Sequence, residues 1–422
     1  MGVGIPYILP LTFMIDVATL GYCRFKRIFK KISEKFVPAH RKELKYRPSK
    51  TPKPKKEVSV IISAHKEEDI IEKSIRSIFR QNYKIKNLYI SDSNLDNTKK
   101  VVRNLEERIK KLKKEFPNII YWSKEGITSK AEKINSLVRD PSVDLGDYVY
   151  LIDSDLRLSP DTIEKLVEGF TEDNIAAVTS YGYVTPPDNY WAKYFHYGKE
   201  WINRMGKFRK IAQKYRRAMF VVCGASYMVR LDVLKKIELS TKTKTEDTDF
   251  SWQLQEEGYK IEFVPDAVVS SKDVPTLKSQ LKQSYRWYIG TWQNLYLHKN
   301  IFGLKSKAKS LAYLSILPGF IESLLYSCAI VLLPIIAYFF PIYAVYFLVG
   351  DTILSFIAPV IAPLLSGEPE TIPGEIFHTL RHYHQITAFK IMAAVLWLGA
   401  GFKVCYHILT GKQKKWMNTW RV

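Results

Sequence analysis

Cysteine is scarce in this sequence: four residues in 422, Cys23, Cys223, Cys328 and Cys405, all widely scattered. That spacing offers neither a disulfide framework nor a metal-ligand pattern, and a reducing compartment is the simplest setting. Acidic side chains are also short relative to basic ones, 42 against 64, which leaves a formal net charge of +22. A basic excess of this size raises nucleic acid as a partner. Its position argues for lipid instead, because much of it falls at 24–56 and 412–421, beside apolar segments, where it would meet anionic head groups. Long apolar runs are missing from about residue 24 to 309, and that stretch reads as a charged, soluble α/β protein.

The apolar runs lie at the two ends. Ile5 to Cys23 is apolar apart from Asp16, close to the roughly 20 residues that a helix needs to cross hydrocarbon. It has no basic leader and no small-residue cleavage site, and its charges (Arg24, Lys26, Arg27, Lys30, Lys31) lie on the distal side. The expectation is a membrane helix over 1–25, rather than a signal peptide, with the next domain in the cytoplasm. Residues 26–57 form a basic linker, rich in Lys and Pro from His40 on and without apolar periodicity. Leu311 to Leu365 is long enough for two crossings joined near Pro341, and Ile386 to Leu409 for a third, giving a membrane region of two to three helices over 301–411 and a basic tail over 412–422. Glu322 and Asp351 sit inside these runs; either they line a water-filled path, or they sit near an interface or pair with a neighbouring helix. Three crossings would put Lys412, Lys414, Lys415 and Arg421 outside, against the positive-inside tendency, which makes one segment interfacial or re-entrant.

Between the ends, 58–300 is the catalytic-domain candidate. Val58-Ser59-Val60-Ile61-Ile62 is a short continuous apolar run of the kind buried in a parallel sheet, and Glu67 to Gln81 follows at helical spacing. The alternation repeats: strand Asn87 to Ser91, helix Thr98 to Glu115, strand Ile119 to Trp122, helix Lys130 to Val138, strand Tyr148 to Ile152, helix Pro160 to Phe170. It predicts an α/β fold with a mostly parallel sheet covered on both faces, and ligands beyond the carboxyl ends of the strands.

Asp153-Ser154-Asp155 follows directly on one of those strands, so both carboxylates emerge at the ligand edge. Two hard oxygen ligands suit Mg²⁺ or Mn²⁺ bridging to a diphosphate. Paired aspartates equally mark a turn or a helix cap, as Asp155 could before Pro160-Asp161. Glu246-Asp247 precedes the helical pattern Trp252 to Glu257. Acids there suit the helix dipole, and a carboxylate there would also serve as a base toward an attacking hydroxyl. In Gln283-Ser284-Tyr285-Arg286-Trp287, on the helical stretch Thr276 to Leu297, Gln283 lies one turn from Arg286 and Trp287. An Arg can clamp a diphosphate and an indole can stack on a sugar. The same residues, with Trp292, would also anchor an amphipathic helix on a membrane.

In order and context these motifs resemble the membrane-integrated family 2 glycosyltransferases, the group that includes hyaluronan, chitin, cellulose and poly-N-acetylglucosamine synthases. The resemblance covers Val58 to about Leu297 and the flanking membrane segments. It implies a GT-A-like catalytic domain flanked by transmembrane helices. Ser63-Ala64-His65-Lys66-Glu67 looks like the first nucleotide-binding turn, which implies donor contacts from Ala64, His65 and Glu67. Ser91-Asp92-Ser93-Asn94-Leu95-Asp96 looks like the paired-aspartate turn, with Asp92 on the base. Lys130 and Asn135 are similar to the segment along the donor, and Asp153-Ser154-Asp155 to the metal motif. Cys223-Gly224-Ala225 resembles the acceptor-side turn, Thr245-Glu246-Asp247 the motif whose Asp is the catalytic base, and Gln283 to Trp287 the QxxRW signature.

The chain departs from that pattern at Ser91, where an aspartate often stands, and at Ser129, where glycine is usual. No cellulose-synthase-type gating loop or appended regulatory domain is recognisable. The resemblance implies inverting transfer from a nucleotide-sugar, with UDP the expected nucleotide, to a polysaccharide extruded through the membrane segments. Asp247, with Glu246 beside it, would be catalytic. Asp155 with Asp153 would hold Mg²⁺ or Mn²⁺, Lys130 and Arg286 would stabilise the leaving diphosphate, and Cys223, Gly224, Gln283 and Trp287 would face the acceptor. The layout is also similar to ceramide glucosyltransferase, whose acceptor is a membrane lipid. A third reading is a non-enzymatic membrane protein whose basic domain binds nucleic acid or lipid.

Overall fold

Val58–Ser63 forms strand β1, and its side chains divide between two layers. Val60 and Ile62 enter one apolar cluster and Ile61 the other, the alternation that a pleated strand imposes. The computed structural model describes residues 10–36, 56–93, 95–111, 117–124, 126–127 and 129–412. The start of the expected first crossing, most of the expected linker and the basic tail from residue 413 lie outside the described residues.

β1 pairs in parallel with β2 (Asn87–Asp92) and β4 (Tyr148–Asp153), and β2 with β3 (Asn118–Ser123). Helices α2 (Ile71–Ile78), α3 (Thr98–Lys111) and α5 (Thr162–Glu168) cover one face; α4 (Lys130–Arg139), α7 (Leu231–Lys236) and α8 (Glu246–Glu256) cover the other. α2 starts four residues later than its apolar periodicity predicts. Lys66 adopts a left-handed φ of 60°, and the N–H groups of Glu67 and Glu68 donate to Thr98 and Asp96 rather than entering a helix.

The sheet has eight strands in the order β3-β2-β1-β4-β7-β6-β8-β5, adding β5 (Arg157–Leu158), β6 (Ile175–Thr185), β7 (Ser226–Arg230) and β8 (Lys260–Lys272). β7 is antiparallel to both β4 and β6, and β5 is antiparallel to β8. The sheet is therefore mixed. Six of the eight strands run the same way, as the βα repeats before residue 171 predict; of the two reversed strands, β7 lies beyond those repeats and β5 is a two-residue strand between β4 and α5.

α1 (Pro10–Phe36) continues as a single helix past Arg24 and Lys26, so the basic residues do not end it. α6 (Tyr190–Tyr215), capped by Asn189, and α9 (Leu277–Leu297), capped by Thr276, connect the sheet to three C-terminal helices. Those helices, Lys309–Phe339, Pro341–Ser366 and Pro369–Leu409, are long and apolar enough to cross a membrane. The first two meet at Phe340, as the position of Pro341 predicts. The last α-helix begins at Ile372, well before the apolar run at Ile386, and bends at His382.

The buried acids of this bundle have partners. Asp351 accepts from Lys390 of the third helix at 2.9 Å and Glu322 from the backbone N–H of Thr12 at 3.3 Å. Of the two readings left open by the sequence, pairing between helices is the one that the contacts support.

Candidate active site

The sheet edge dictates where the polar residues gather. Ser63 is in register with both Ser91 and Asp153, so the turn after β1, the end of β2 and the end of β4 open on one side. Asp153 and Asp155 line a cleft of about 890 Å³ there. Asp155 marks a turn and not a helix cap: it lies in the turn between β4 and β5, and α5 begins only at Thr162.

Nine residues singled out in the sequence meet in this cleft: Lys130, Asp153, Asp155, Gly224, Glu246, Asp247, Gln283, Arg286 and Trp287. Lys130 stands at its centre. From the first turn of α4, its Nζ reaches Asp153 Oδ1 at 2.6 Å, the Gly224 carbonyl at 2.8 Å and Glu246 Oε1 at 3.9 Å. Burial opposes the ammonium charge, yet Asp153 and Glu246 outweigh it and raise the Lys130 pKa. Glu246 is buried too, and that burial raises its carboxyl despite Lys130. Asp155 is open to the cleft on one side, while desolvation by the surrounding protein and the neighbouring Asp153 charge push its pKa up to about 6.

Glu246 and Asp247 form the first turn of α8. The Thr248 N–H donates to Asp247 Oδ1 at 2.8 Å, which leaves Oδ2 against Gly224. A Cβ on Gly224 would lie 2.1 Å from that oxygen, so only glycine admits the carboxylate.

α9 is fastened along the loop before α8. Arg286 donates to the Lys244 carbonyl at 3.0 Å, Gln293 accepts from the Lys244 N–H at 3.0 Å, and Asn294 donates to Thr245 Oγ1 at 3.0 Å. Gly290 makes this approach possible, since a Cβ there would meet Thr245 Oγ1 at 2.3 Å. Trp287 faces the cleft, whereas Trp292 packs on Trp397 with ring centroids 4.7 Å apart. The two tryptophans that read alike in the sequence thus serve opposite faces of one helix.

Other named residues sit elsewhere. Ala64, His65, Glu67 and Asp92 lie along the same strand edge but do not line this cleft. Lys133 Nζ bridges the Ala64 carbonyl at 2.7 Å and Ser93 Oγ at 2.9 Å, and His65 Nδ1 meets the same hydroxyl at 3.0 Å. Asp92 is fully buried: Tyr121 donates to Oδ2 at 2.6 Å, and Oδ1 has no hydrogen-bond partner among the described residues. Cys223 is buried beneath the cleft, its N–H donating to Thr179. Asn135 turns away to clasp the backbone of Leu239 at 2.8 and 3.0 Å.

Sequence reasoning missed Lys199 and Asp273, which also line the cleft. Lys199 lies on α6, for which no motif was read; Asp273 stands two residues before Pro275, ahead of the Thr276 cap of α9, which is its only signal.

No group of three or more His, Cys, Asp or Glu able to hold a metal occurs among the described residues. Magnesium and manganese need fewer, since substrate phosphates and water complete their shell around one or two carboxylates. Asp153 and Asp155 fit such an ion, and the raised Asp155 carboxyl marks negative charge that a cation would neutralise.

Comparison with known proteins agrees with this geometry. Residues 148–353 match the family model described as glycosyl transferase family group 2, which spans the cleft from Asp153 to Trp287 and runs into the second apolar helix. The uncharacterized glycosyltransferase YaiP of Escherichia coli (strain K12) is 24% identical over 256 residues, 58% of this chain and 59% of that protein. Poly-beta-1,6-N-acetyl-D-glucosamine synthase of Staphylococcus aureus (strain MSSA476) is 23% identical over 236 residues, 55% of this chain and 54% of the relative. The matches thus span a little over half the length of these curated relatives. A solved structure, the mannosyltransferase PcManGT from Pyrobaculum calidifontis in complex with GDP-Man and Mn²⁺, shares the fold with a TM-score of 0.58 and 17% identity, covering 92% of this chain and 98% of that one. Residues 148–353 are thus similar to the glycosyl transferase family group 2 model, and the chain has a mixed-sheet, GT-A-like α/β fold with apolar C-terminal helices that could span a membrane.

Proposed function

We propose that this protein is a metal-dependent hexosyltransferase that moves a sugar, with inversion, from a nucleotide-sugar to a growing polysaccharide at a membrane. UDP is the nucleotide we favour and the cytoplasmic face the location. The carrying observation is the meeting of Asp153 and Asp155 with Glu246, Asp247, Arg286 and Trp287 in one cleft. The poly-N-acetylglucosamine synthase relative supports a polysaccharide product, and the Mn²⁺ named with the mannosyltransferase structure supports a divalent ion.

Asp153 and Asp155 would hold Mg²⁺ or Mn²⁺, which when bound neutralises charge on the donor diphosphate. Asp247 accepts the proton of the attacking hydroxyl at Oδ2, the oxygen that faces Gly224. The Thr248 N–H on the other oxygen keeps the carboxylate in one orientation. Arg286, steadied by the Lys244 carbonyl, and Lys130 supply positive charge where the leaving group gathers negative charge. Trp287 offers its ring to the acceptor sugar. Ala64, His65, Glu67 and Asp92 would extend the donor site along the strand edge toward the base, and the apolar helices would carry the product across.

Asp247→Asn tests the assignment, with transfer measured in membranes from radiolabelled UDP-N-acetylglucosamine, UDP-glucose and GDP-mannose. We expect a folded variant with transfer reduced on the order of 10²-fold or more. Near wild-type transfer would remove Asp247 as the base. Product size is read in the same assay: a ladder or high-mass smear supports polymer, and a single glycolipid spot moves the acceptor to a membrane lipid.

A further inference from the structure

Three polar side chains behind the acceptor side of the cleft form a chain that the proposed chemistry does not use. His196 and Lys199 come from one face of α6, and Asp273 is the first residue after β8. Asp273 Oδ1 accepts from Lys199 Nζ at 2.7 Å, and Oδ2 lies 2.8 Å from His196 Nδ1. Gln280 adds a bond to Oδ2 at 3.3 Å. The side chains of Asp273 and His196 are 2% and 1% exposed, and that of Lys199 is 9% exposed. Burial alone would raise the Asp273 carboxyl, but His196 and Lys199 more than reverse this and hold it at about 2. The aspartate is therefore a fixed anion, paired with the Lys199 ammonium.

Lys199 makes one further hydrogen bond, to Gln283 Oε1 at 3.0 Å, and its ammonium lies 5.3 Å from the centroid of the Trp287 ring. An ammonium can only donate. The carbonyl end of the Gln283 amide must face Lys199, which turns the NH₂ end away from it, and the same ammonium pins the indole by cation–π attraction.

We infer that Lys199, held by Asp273 and His196, is a positioning residue that sets the Gln283 amide and the Trp287 ring as one acceptor platform, presenting a hydrogen-bond donor beside an aromatic face. Such a platform suits an uncharged sugar ring, which offers hydroxyl oxygens along its edge and C–H groups on its face. The inference rests on the glycosyltransferase reading and deepens it. It makes acceptor placement, and not donor binding, depend on α6.

Lys199→Met in the full-length protein in nanodiscs tests this. Transfer to product and hydrolysis to free sugar are both measured from the same radiolabelled panel, with UDP affinity measured by calorimetry in the presence of Mn²⁺. Misplacing the acceptor lets water compete, so the transfer-to-hydrolysis ratio is expected to fall about 10-fold or more, the scale of one lost hydrogen bond to a charged group, while UDP affinity stays within two-fold. Lys199→Met leaves a buried carboxylate underpaired and could cost the fold. Lys199→Met/Asp273→Asn removes both charges, and the same fall in ratio is expected from it with a melting temperature near wild type. An unchanged ratio in a folded variant, or transfer, hydrolysis and UDP affinity falling together, would overturn the inference. A wild-type protein that neither transfers nor hydrolyses any of the donors would instead overturn the functional reading on which it rests.

Discussion

Gly224→Ala is the sharpest test of how the cleft places Asp247, the base that we propose. Gly224 is not among the positive-φ glycines, so alanine brings no backbone strain and acts through space alone. Its Cβ would lie 2.1 Å from Asp247 Oδ2, 2.7 Å from Cγ and 2.9 Å from Cβ. The Asp247 Cβ belongs to α8, and the carboxylate is tethered by the Thr248 N–H on its far oxygen, so the group cannot simply swing aside. It has to retreat by roughly 1 Å, a displacement that at a reacting centre lowers the rate on the order of 10²-fold, about 2.7 kcal/mol of transition-state stabilisation. Overpacking should lower fold stability by only about 1–3 kcal/mol. The assay is radiolabelled transfer in membranes alongside thermal melting and UDP binding. Because both changes act on one carboxylate, Gly224→Ala/Asp247→Asn should be no slower than Asp247→Asn alone. A folded Gly224→Ala protein that transfers at the wild-type rate, or a double variant that loses the two effects in full sum, would refute the reasoning.

His298 donates to Asp249 at 2.6 Å and to Glu256 at 2.6 Å; burial opposes its charge, but these two carboxylates raise its pKa to about 9. Because the folded value lies above the unfolded value of about 6.5, the clasp should stabilise fully below pH 6.5, by on the order of 3 kcal/mol, and be lost as pH rises through 9. Melting temperatures of wild type and His298→Gln between pH 6 and 10 should therefore converge at the alkaline end. Lys390→Met strands Asp351 among apolar helices and should destabilise by about 3–5 kcal/mol, whereas Lys390→Met/Asp351→Asn should recover most of that in detergent melts. Asp155→Asn should raise the Mn²⁺ concentration needed for half-maximal transfer by about 10-fold or more, and chelation should abolish wild-type turnover; a metal response identical to wild type would remove Asp155 from the ion site.

The first half of the sheet was legible because its strands obey local rules. Val58 to Ile62 is continuously apolar, and the helices between strands repeat at 3.6-residue spacing, so strand ends at Asp92 and Asp153 fall within a residue of their expected places. The second half was not. β6 and β8 pair across some 80 residues with register shifts, and α6 buries the polar His196, Lys199 and Gln213 together with its apolar residues, so neither element shows a clean period. Gly224 and Gly290 were visible as letters, yet what they admit, a carboxylate and a threonine, is set by contacts between distant segments. Lys199 was hidden for the same reason: a lysine on a helix reads as solvated until Asp273 and Gln283 are seen to surround it.

α9 is held on one side by the 243–245 loop and on the other by Trp397 and Phe320 of the C-terminal helices. If the bundle spans a bilayer, as we propose, a helix clamped this way would act as a lever: a tilt imposed on the bundle by a thicker or thinner bilayer would be passed along it to Arg286 and Trp287. On that reading the lipid surroundings would become a setting of the reaction itself, and the transfer rate is expected to vary with the acyl-chain length of the nanodisc that holds the protein.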